Sequence, residues 1–353
     1  NSDFEDKNFQ VITVPTTGTF TITQSSNASG TVSTGGSLSI KPFEPVGPRE
    51  QTYGYGWGMD PYSNGKWGEA AAASDVTLEP GLWSLDNFGE VLVATILNGK
   101  TFTWNSGISQ RLTTRASTTT SNFQTTNNPT KTRSTLISPT TRHLIHLGTE
   151  TTIGTPDSQD DMFIRFSDQE DINTFTPSAT NTAGTQRLQD GTKIMGALKA
   201  KEVILIWTDN ALYTMKFIGA PFTFAVEQVG TNCGLIGQNA VVEIDGAAFW
   251  LSPKGFFLYD GTVKSLPCTV EDSVFDNFDT TKGQQVSAGL NNLFTEITWY
   301  YPSSNSDYND KYVVFNFGES AGVRGGVWYT GTEARTSWMD ATIYKNPYAT
   351  KYN

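Results

Sequence analysis

The feature that most constrains this fold is a recurring pair of short apolar runs, joined by a polar turn, with aromatic residues in the second run. Residues 296–317, EITWYYPSSNSDYNDKYVVFNF, contain two runs of aromatic and β-branched residues around a segment of Pro, Ser, Asn and Asp. Such runs predict β-strands, and the polar residues between them predict a hairpin turn. Further units follow this plan at EVLVATILNGKTFTW, EVILIWTDNALYTMKF and AVVEIDGAAFWLSPKGFFLYDGTVKSL, with a more polar unit at RHLIHLGT and DMFIRFSD.

The spacing of these units favours one architecture. They recur at roughly 45 to 55 residues, the length range of four-stranded propeller blades. Dipeptides such as Asn98-Gly99 and Asp245-Gly246 mark hairpin turns inside the units. A β-sandwich with the same number of strands is the alternative. We predict an all-β fold of propeller-like blades made of short antiparallel strands, with a small N-terminal β-unit, long irregular loops and one short helix within 270–278.

Composition divides the chain into three parts. Residues 1–50 contain FQVITV and GTFTIT, and we interpret them as the remnant of a preceding small β-domain. Residues 51–80 form a linker rich in Gly, Tyr and Trp. Residues 81–353 are predicted to be an incomplete β-propeller domain. Because the sequence starts without Met and stops without a closing element, we expect a piece of a longer polypeptide.

The aromatic residues of the linker are candidates for a contact surface. Glycine permits sharp backbone turns there, and large rings can anchor an irregular ordered loop. A packed linker is one interpretation, and a binding or gating loop is the other. The residues concerned are Tyr53, Tyr55, Trp57 and Trp67.

The charge balance argues against a nucleic-acid clamp. The formal net charge is −11, with 35 acidic and 24 basic residues, and no basic run is present. Binding to a phosphate backbone draws on clustered Lys and Arg. Aromatic residues make up 12% of the chain, which supplies ample surface to bury and is not typical of a disordered segment.

Few residues point to metal chemistry. The only histidines are His143 and His146, which point to opposite sides if they lie in a strand. Neither has a third ligand at a metal-site spacing, so we expect structural histidines and no metal or other cofactor. The stretch 157–163, DSQDDMF, lacks the glycine and glutamate of a calcium loop and is interpreted as a solvated turn.

Other catalytic patterns are equally weak. GTNCGLIGQ, residues 230–238, has glycines but lacks the Lys-Ser/Thr of a phosphate loop, so its glycines are predicted to serve tight turns between blades. The two cysteines, Cys233 and Cys268, are interpreted as buried thiols rather than as a disulfide or a site. Paired carboxylates of a glycosidase stay open, because one sequence singles out no pair. We predict no catalytic residues and no enzyme activity.

Several stretches together resemble the tail nozzle, or tail hub, proteins of short-tailed bacteriophages. They include SLDNFGE, TNCGLIG and FFLYDGTVKSLP, and the similarity extends from about Gly54 to the end of the chain. The Thr-rich stretch and residues 140–190 are the least alike. The resemblance implies a propeller-based, non-enzymatic virion protein, of which six copies form a ring below the portal and adaptor.

The partners implied by this resemblance are structural. They are further copies of the chain, the portal and adaptor proteins, the tail fibres, genomic DNA that passes through the lumen without specific binding, and indirectly the host envelope. Within the chain, five tryptophans are expected to pack the blades rather than to bind ligands, namely Trp104, Trp207, Trp250, Trp299 and Trp328. The alternative function is a receptor-binding protein or tailspike that engages cell-surface glycans, with or without hydrolysing them.

Overall fold

The computed structural model describes eight ranges of the chain, and every structural statement below concerns them alone. They are 11–16, 19–22, 82–105, 127–201, 203–320, 322–323, 325–341 and 344–351. The chain divides into two compact units, Asn1–Val46 and Gly47–Asn353. In the first unit, strands β1 (Val11–Thr16) and β2 (Thr19–Ile22) pair as an antiparallel hairpin.

The second unit consists of successive antiparallel sheets whose strands follow chain order. The first sheet has three strands, the next four sheets have four each, and the last described sheet has two. The strands are β3 (Trp83–Phe88), β4 (Val91–Ile96), β5 (Thr101–Asn105), β6 (Thr132–Ile137), β7 (Leu144–Thr149), β8 (Phe163–Phe166), β9 (Gly184–Arg187), β10 (Ile194–Lys199), β11 (Ile204–Thr208), β12 (Ala211–Gly219), β13 (Thr223–Thr231), β14 (Val241–Ile244), β15 (Ala247–Ser252), β16 (Gly255–Tyr259), β17 (Val263–Leu266), β18 (Ser287–Asn291), β19 (Glu296–Tyr301), β20 (Lys311–Asn316), β21 (Val327–Thr332), β22 (Ser337–Met339) and β23 (Tyr348–Thr350).

Contacts between the sheets run through their first strands. β3 lies against β6, β6 against β10, β10 against β14, β14 against β18, and β18 against β22. Meandering sheets that meet at their first strands form the radial arrangement of propeller blades. The structure therefore confirms the predicted all-β, propeller-like fold. No helix in the described ranges is long and apolar enough to cross a membrane.

Turn chemistry explains why the predicted hairpins form. Asn98 and Asp245 have φ of 56° and 51°, and Gly246 follows Asp245 with φ of 90°. Asn, Asp and Gly tolerate this left-handed region, which tight hairpin turns require. The single α-helix, α1 (Glu271–Phe275), lies inside the predicted segment 270–278.

Three consecutive blades carry a tryptophan at the same structural position. Trp207, Trp250 and Trp299 are each the fourth residue of the second strand of a blade, in β11, β15 and β19. All three side chains are fully buried. The rings of Trp207 and Trp250 meet edge to face at 5.4 Å between centroids, a favoured aromatic geometry. The repeat that the sequence shows only loosely is therefore strict at this position.

The indole N–H groups connect the core to the backbone between blades. Trp250 donates to the carbonyl of Cys233 at 2.8 Å, and Trp299 donates to the carbonyl of Ala240 at 3.0 Å. Both acceptors lie in the connection from β13 to β14. Trp328, in β21, donates to the carbonyl of Pro267, just after β17, at 3.0 Å. These bonds satisfy buried donors and fix the orientation of each ring.

The glycines of TNCGLIG have a role beyond the predicted one. Neither Gly234 nor Gly237 has positive φ. A Cβ atom on Gly234 would lie 2.1 Å from the carbonyl oxygen of Asp209, and one on Gly237 would lie 2.4 Å from that of Gly283. Gly237 begins a turn between blades, since its carbonyl accepts the backbone N–H of Ala240 at 3.0 Å, and both glycines also allow backbone segments that are distant in the sequence to approach closely. Cys233, in the same segment, is a buried free thiol, and Cys268 is a half-buried free thiol.

We expect Trp299→Ala to reduce the free energy of unfolding by about 3–5 kcal/mol, because it removes a fully buried ring and leaves a cavity. Trp104→Ala is the matched control, since Trp104 in β5 is only half-buried and should lose about 1–2 kcal/mol. Urea denaturation followed by circular dichroism measures both values. Equal losses in the two variants would contradict the assignment of Trp299 to the blade core.

Candidate functional site

The predicted site residues fall into two groups. Tyr53, Tyr55, Trp57 and Trp67 lie outside the described residues, so the contact or gating loop stays a prediction. The structure places the packing tryptophans at different depths: Trp207, Trp250 and Trp299 are fully buried, Trp328 is 8% exposed and Trp104 is half-buried. The four buried tryptophans belong to one hydrophobic core cluster, whereas Trp104 lies outside it, and the five do not converge on one site.

A recess lies where the first strands of the sheets converge. It is a cavity of about 580 Å³ lined by residues of β3, β6, β10, β14, β18 and β22. This volume falls in the range of small-molecule pockets, roughly 300–1,000 Å³. We call it the axial cavity, and we define it by Trp83, Asp86, Ser134, Lys199, Ser287 and Trp338.

An ion pair crosses one side of the axial cavity. Lys199 Nζ, on β10, lies 2.5 Å from Asp86 Oδ2, on β3. The same carboxylate accepts the backbone N–H of Ile137, in β6, at 2.7 Å. Asp86 thereby connects three first strands, and its charge is neutralised by Lys199. Among the described residues that line the cavity, these two alone are ionisable.

His143 lies in a buried chain of hydroxyl groups near β7. Its Nδ1 lies 2.7 Å from Thr141 Oγ1, and its Nε2 lies 3.0 Å from Thr182 Oγ1. Thr182 Oγ1 donates to Asp168 Oδ1 at 2.6 Å. Since the Thr182 proton goes to Asp168, Nε2 of His143 donates to Thr182, and Nδ1 accepts from Thr141. Burial lowers the pKa of His143 to about 4, against the smaller opposing effect of Asp168, so the ring is neutral at pH 7.

His146 is fully buried on β7 and lacks polar partners. Neither ring nitrogen has a hydrogen-bond partner in the described structure, and the ring packs edge to face against Phe175 at 5.0 Å. Burial, with a further contribution from the charge of Arg165, lowers the pKa of His146 to about 3. Across the described ranges, no group of three or more His, Cys, Asp and Glu side chains is placed to hold a metal ion.

Two of the three aspartates of DSQDDMF contact arginines. Asp160 lies 2.6 Å from Arg187 Nε, and Asp161 lies 3.4 Å from Arg133 Nη1. Arg133 is 4% exposed, and its Nε also donates to the carbonyl of Ile194 at 2.9 Å. We interpreted this segment from the sequence as a solvated turn. Its ion pairs also connect β6 and β9 to the loop before β8.

Several turns expose large apolar side chains. Ile218 and Phe222, at the β12–β13 turn, are 53% and 74% exposed, while Leu293 and Phe294, at the β18–β19 turn, are 82% and 60% exposed. In a four-stranded antiparallel meander, the first and third turns lie at the same end of the sheet. Radial repetition of blades places that end on one side of the ring. We call these four residues the apolar turns.

The sequence analysis missed the residues of the axial cavity. Asp86 stands in the run WSLDNF of β3, which alternates exposed and partly buried positions. The sequence did not reveal this, because period-two patterning would predict that the apolar residues Trp83 and Leu85 face the core, whereas both are exposed. Lys199, Ser134 and Ser287 carried no signal either, since their proximity depends on how different sheets are arranged.

Between pH 6.5 and 4, we expect the free energy of unfolding to fall as the pH falls. The unfolded chain takes up a proton on His146 below about pH 6.5, whereas the folded chain does not until about pH 3. One such group costs about 1.4 kcal/mol per pH unit. Urea denaturation at pH 7, 6 and 5 measures how the free energy of unfolding changes with pH. His146→Leu should reduce this pH dependence by the contribution of one proton, because it removes one titrating group.

The control for this prediction is Ile145→Leu, a non-ionisable exchange at the neighbouring, equally buried position of β7. It should keep the wild-type slope, because it conserves volume and removes no titrating group. If His146→Leu also kept that slope, the buried neutral state of His146 would be refuted.

The chain matches no protein-family model and no curated protein. Among solved structures, it is similar to Hsv2 of Kluyveromyces lactis, at 10% identity and TM-score 0.35, with 71% of this chain and 62% of that chain covered. It is also similar to the AfRom2 CNH domain, at 9% identity and TM-score 0.42, with 73% and 74% covered. A chain of the Mitotic Checkpoint Complex matches at 12% identity and TM-score 0.41, with 92% and 82% covered. This chain spans less than two thirds of the Hsv2 chains, and nothing about activity follows from these similarities.

Proposed function

We propose that this chain is a non-enzymatic structural subunit of a short-tailed phage tail, in a nozzle or hub ring of six copies that extends the DNA channel below the portal and adaptor. The observation that carries the proposal is the combination of tightly connected blades with large apolar side chains exposed at their turns. The first property suits a rigid wall, and the second suits contact between copies.

The positions of the resembling stretches support this proposal. SLDNFGE forms most of β3 and its turn into β4, FFLYDGTVKSLP forms most of β16 and all of β17, and TNCGLIG is the connection between two blades. These segments are framework elements: they pair strands and bring blades together. A resemblance in the framework is expected when two proteins share an architecture.

The packing between blades suits the rigid wall of a channel. Trp299 and Trp328 stack at 6.2 Å between centroids, and Phe256 lies 5.1 Å and 4.8 Å from them. Phe256 belongs to β16 of one blade, whereas the tryptophans belong to the next. Close-packed rings shared between blades resist deformation, because any shift of one sheet breaks contacts in its neighbour.

The apolar turns support contact between copies. Two turns, on blades separated by a third, each expose two large apolar side chains, and such groups are costly to leave in water. In a head-to-tail ring, each copy presents one surface to a different surface of the next copy. The net charge of −11 fits a lumen that repels phosphate and lets DNA pass without binding.

Single-particle electron microscopy of the particle that carries this protein tests the proposal directly. We expect a six-fold ring with a central channel wide enough for duplex DNA, connected to the portal and adaptor. A three-fold rod, or a location away from the tail, would overturn the proposal.

A point substitution tests the role of the apolar turns. We expect Phe222→Ser to weaken assembly of the chain roughly tenfold or more, since burying a phenylalanine contributes about 1.5–3 kcal/mol. Light scattering after size-exclusion chromatography measures the mass distribution against that of the 38.6 kDa chain. Stability should change by less than about 0.5 kcal/mol, because the residue is exposed.

Lys216→Ala is the matched control, since Lys216 is an exposed residue of the same hairpin. It should leave the mass distribution unchanged. The role of the apolar turns would be refuted if Phe222→Ser and Leu293→Ser both assembled as Lys216→Ala does. The ring itself is tested separately, by the imaging experiment.

A further inference from the structure

Two serine hydroxyls in the axial cavity have no protein partner. Ser134 on β6 is 6% exposed, and Ser287 on β18 is 5% exposed. Both line the cavity, and neither side chain makes a hydrogen bond within the described part of the chain. Neither hydroxyl oxygen is among the buried side-chain atoms without a partner, so both remain accessible from the cavity, where each can donate a hydrogen bond to a bound molecule and accept one from it.

The charge of the cavity restricts the class of ligand. Among its described lining residues, Asp86 and Lys199 alone are ionisable, and they neutralise each other at 2.5 Å. A phosphate or a carboxylate would need an unpaired cation or several convergent N–H donors. A metal ion would need several oxygen, nitrogen or sulfur ligands. The cavity therefore suits a ligand that is polar but carries no net charge.

Two tryptophans give the cavity aromatic walls. Trp338, on β22, is held in place because its indole N–H donates to the carbonyl of Leu290 at 2.8 Å. Its ring packs over Gly289, where a Cβ atom would lie 2.7 Å from it. Trp83, on β3, is 42% exposed. A ligand with apolar C–H faces as well as hydroxyl groups can use such rings and the serines together.

We propose that the axial cavity is a binding site for a neutral saccharide, of one or two sugar units. Ser134 and Ser287 exchange hydrogen bonds with its hydroxyl groups, and the rings of Trp83 and Trp338 contact its C–H faces. The exposed amide of Asn239, at the cavity edge, supplies a further donor and acceptor. This site is independent of the ring proposed above, because it lies within one copy of the chain.

Titration calorimetry of the full chain with glucose and with maltose tests the proposal. We expect saturable binding in the millimolar range, in keeping with few hydrogen bonds and partial burial. Ser287→Ala and Ser134→Ala should each weaken it roughly fivefold, the effect of one lost hydrogen bond. Inorganic phosphate should show no saturable binding up to about 10 mM.

Ser273→Ala is the matched control, since Ser273 is an exposed serine on α1, away from the cavity. It should bind as the wild type does. Ser287→Leu, which fills the cavity, should abolish binding, and circular dichroism shows whether this variant folds. If it does not fold, the affinities of the two alanine variants still test the site.

Three results would overturn the proposal. The first is no saturable binding of either sugar up to about 10 mM. The second is tighter binding of phosphate than of maltose. The third is equal affinity in Ser287→Ala, Ser134→Ala and Ser273→Ala, which would place the sugar elsewhere.

Discussion

The rest of the structure depends on the hydrogen bond from a buried tryptophan indole to a main-chain carbonyl near the boundary between blades. An apolar ring can fill a core in several orientations, whereas an indole N–H without a partner costs about 1–3 kcal/mol when buried. Trp250, Trp299 and Trp328 each satisfy this donor on a connection between sheets. The bond therefore fixes the orientation of each sheet relative to the chain that enters it. The indole nitrogen of Trp207 has no hydrogen-bond partner within the described ranges, and this ring depends on aromatic contacts instead.

Features encoded by neighbouring residues were predictable from the sequence. The hairpin expected at 296–317 corresponds to β19 and β20, because alternating aromatic and β-branched residues and a polar turn specify it locally. The turn at Asp245-Gly246 follows from the left-handed backbone that those residues tolerate. The close approach at Gly234 was not predictable, since its constraint comes from Asp209, twenty-five positions away in the sequence but in contact in space.

The axial cavity was beyond sequence reasoning for the same physical reason. Asp86, Ser134, Lys199 and Ser287 lie on four different sheets, and no spacing rule relates residues on separate blades. Their proximity results from the angle between sheets, which long-range packing determines. Composition did not indicate the cavity either, because nothing distinguishes one Asp, one Lys and two Ser in a chain with 35 acidic residues.

The buried ionisable groups in the described ranges are either neutral or close to a group of opposite charge, and this affects how a DNA channel could be built. His143 and His146 are uncharged at pH 7 because burial lowers the pKa of each, and Asp86 is paired with Lys199. The repulsive charge must then lie outside the blade core. The axial cavity, at about 580 Å³, has the size of a small-molecule pocket rather than of a duplex passage. In the proposed ring, DNA therefore passes between copies, along surfaces of the blades, and not through the propeller axis.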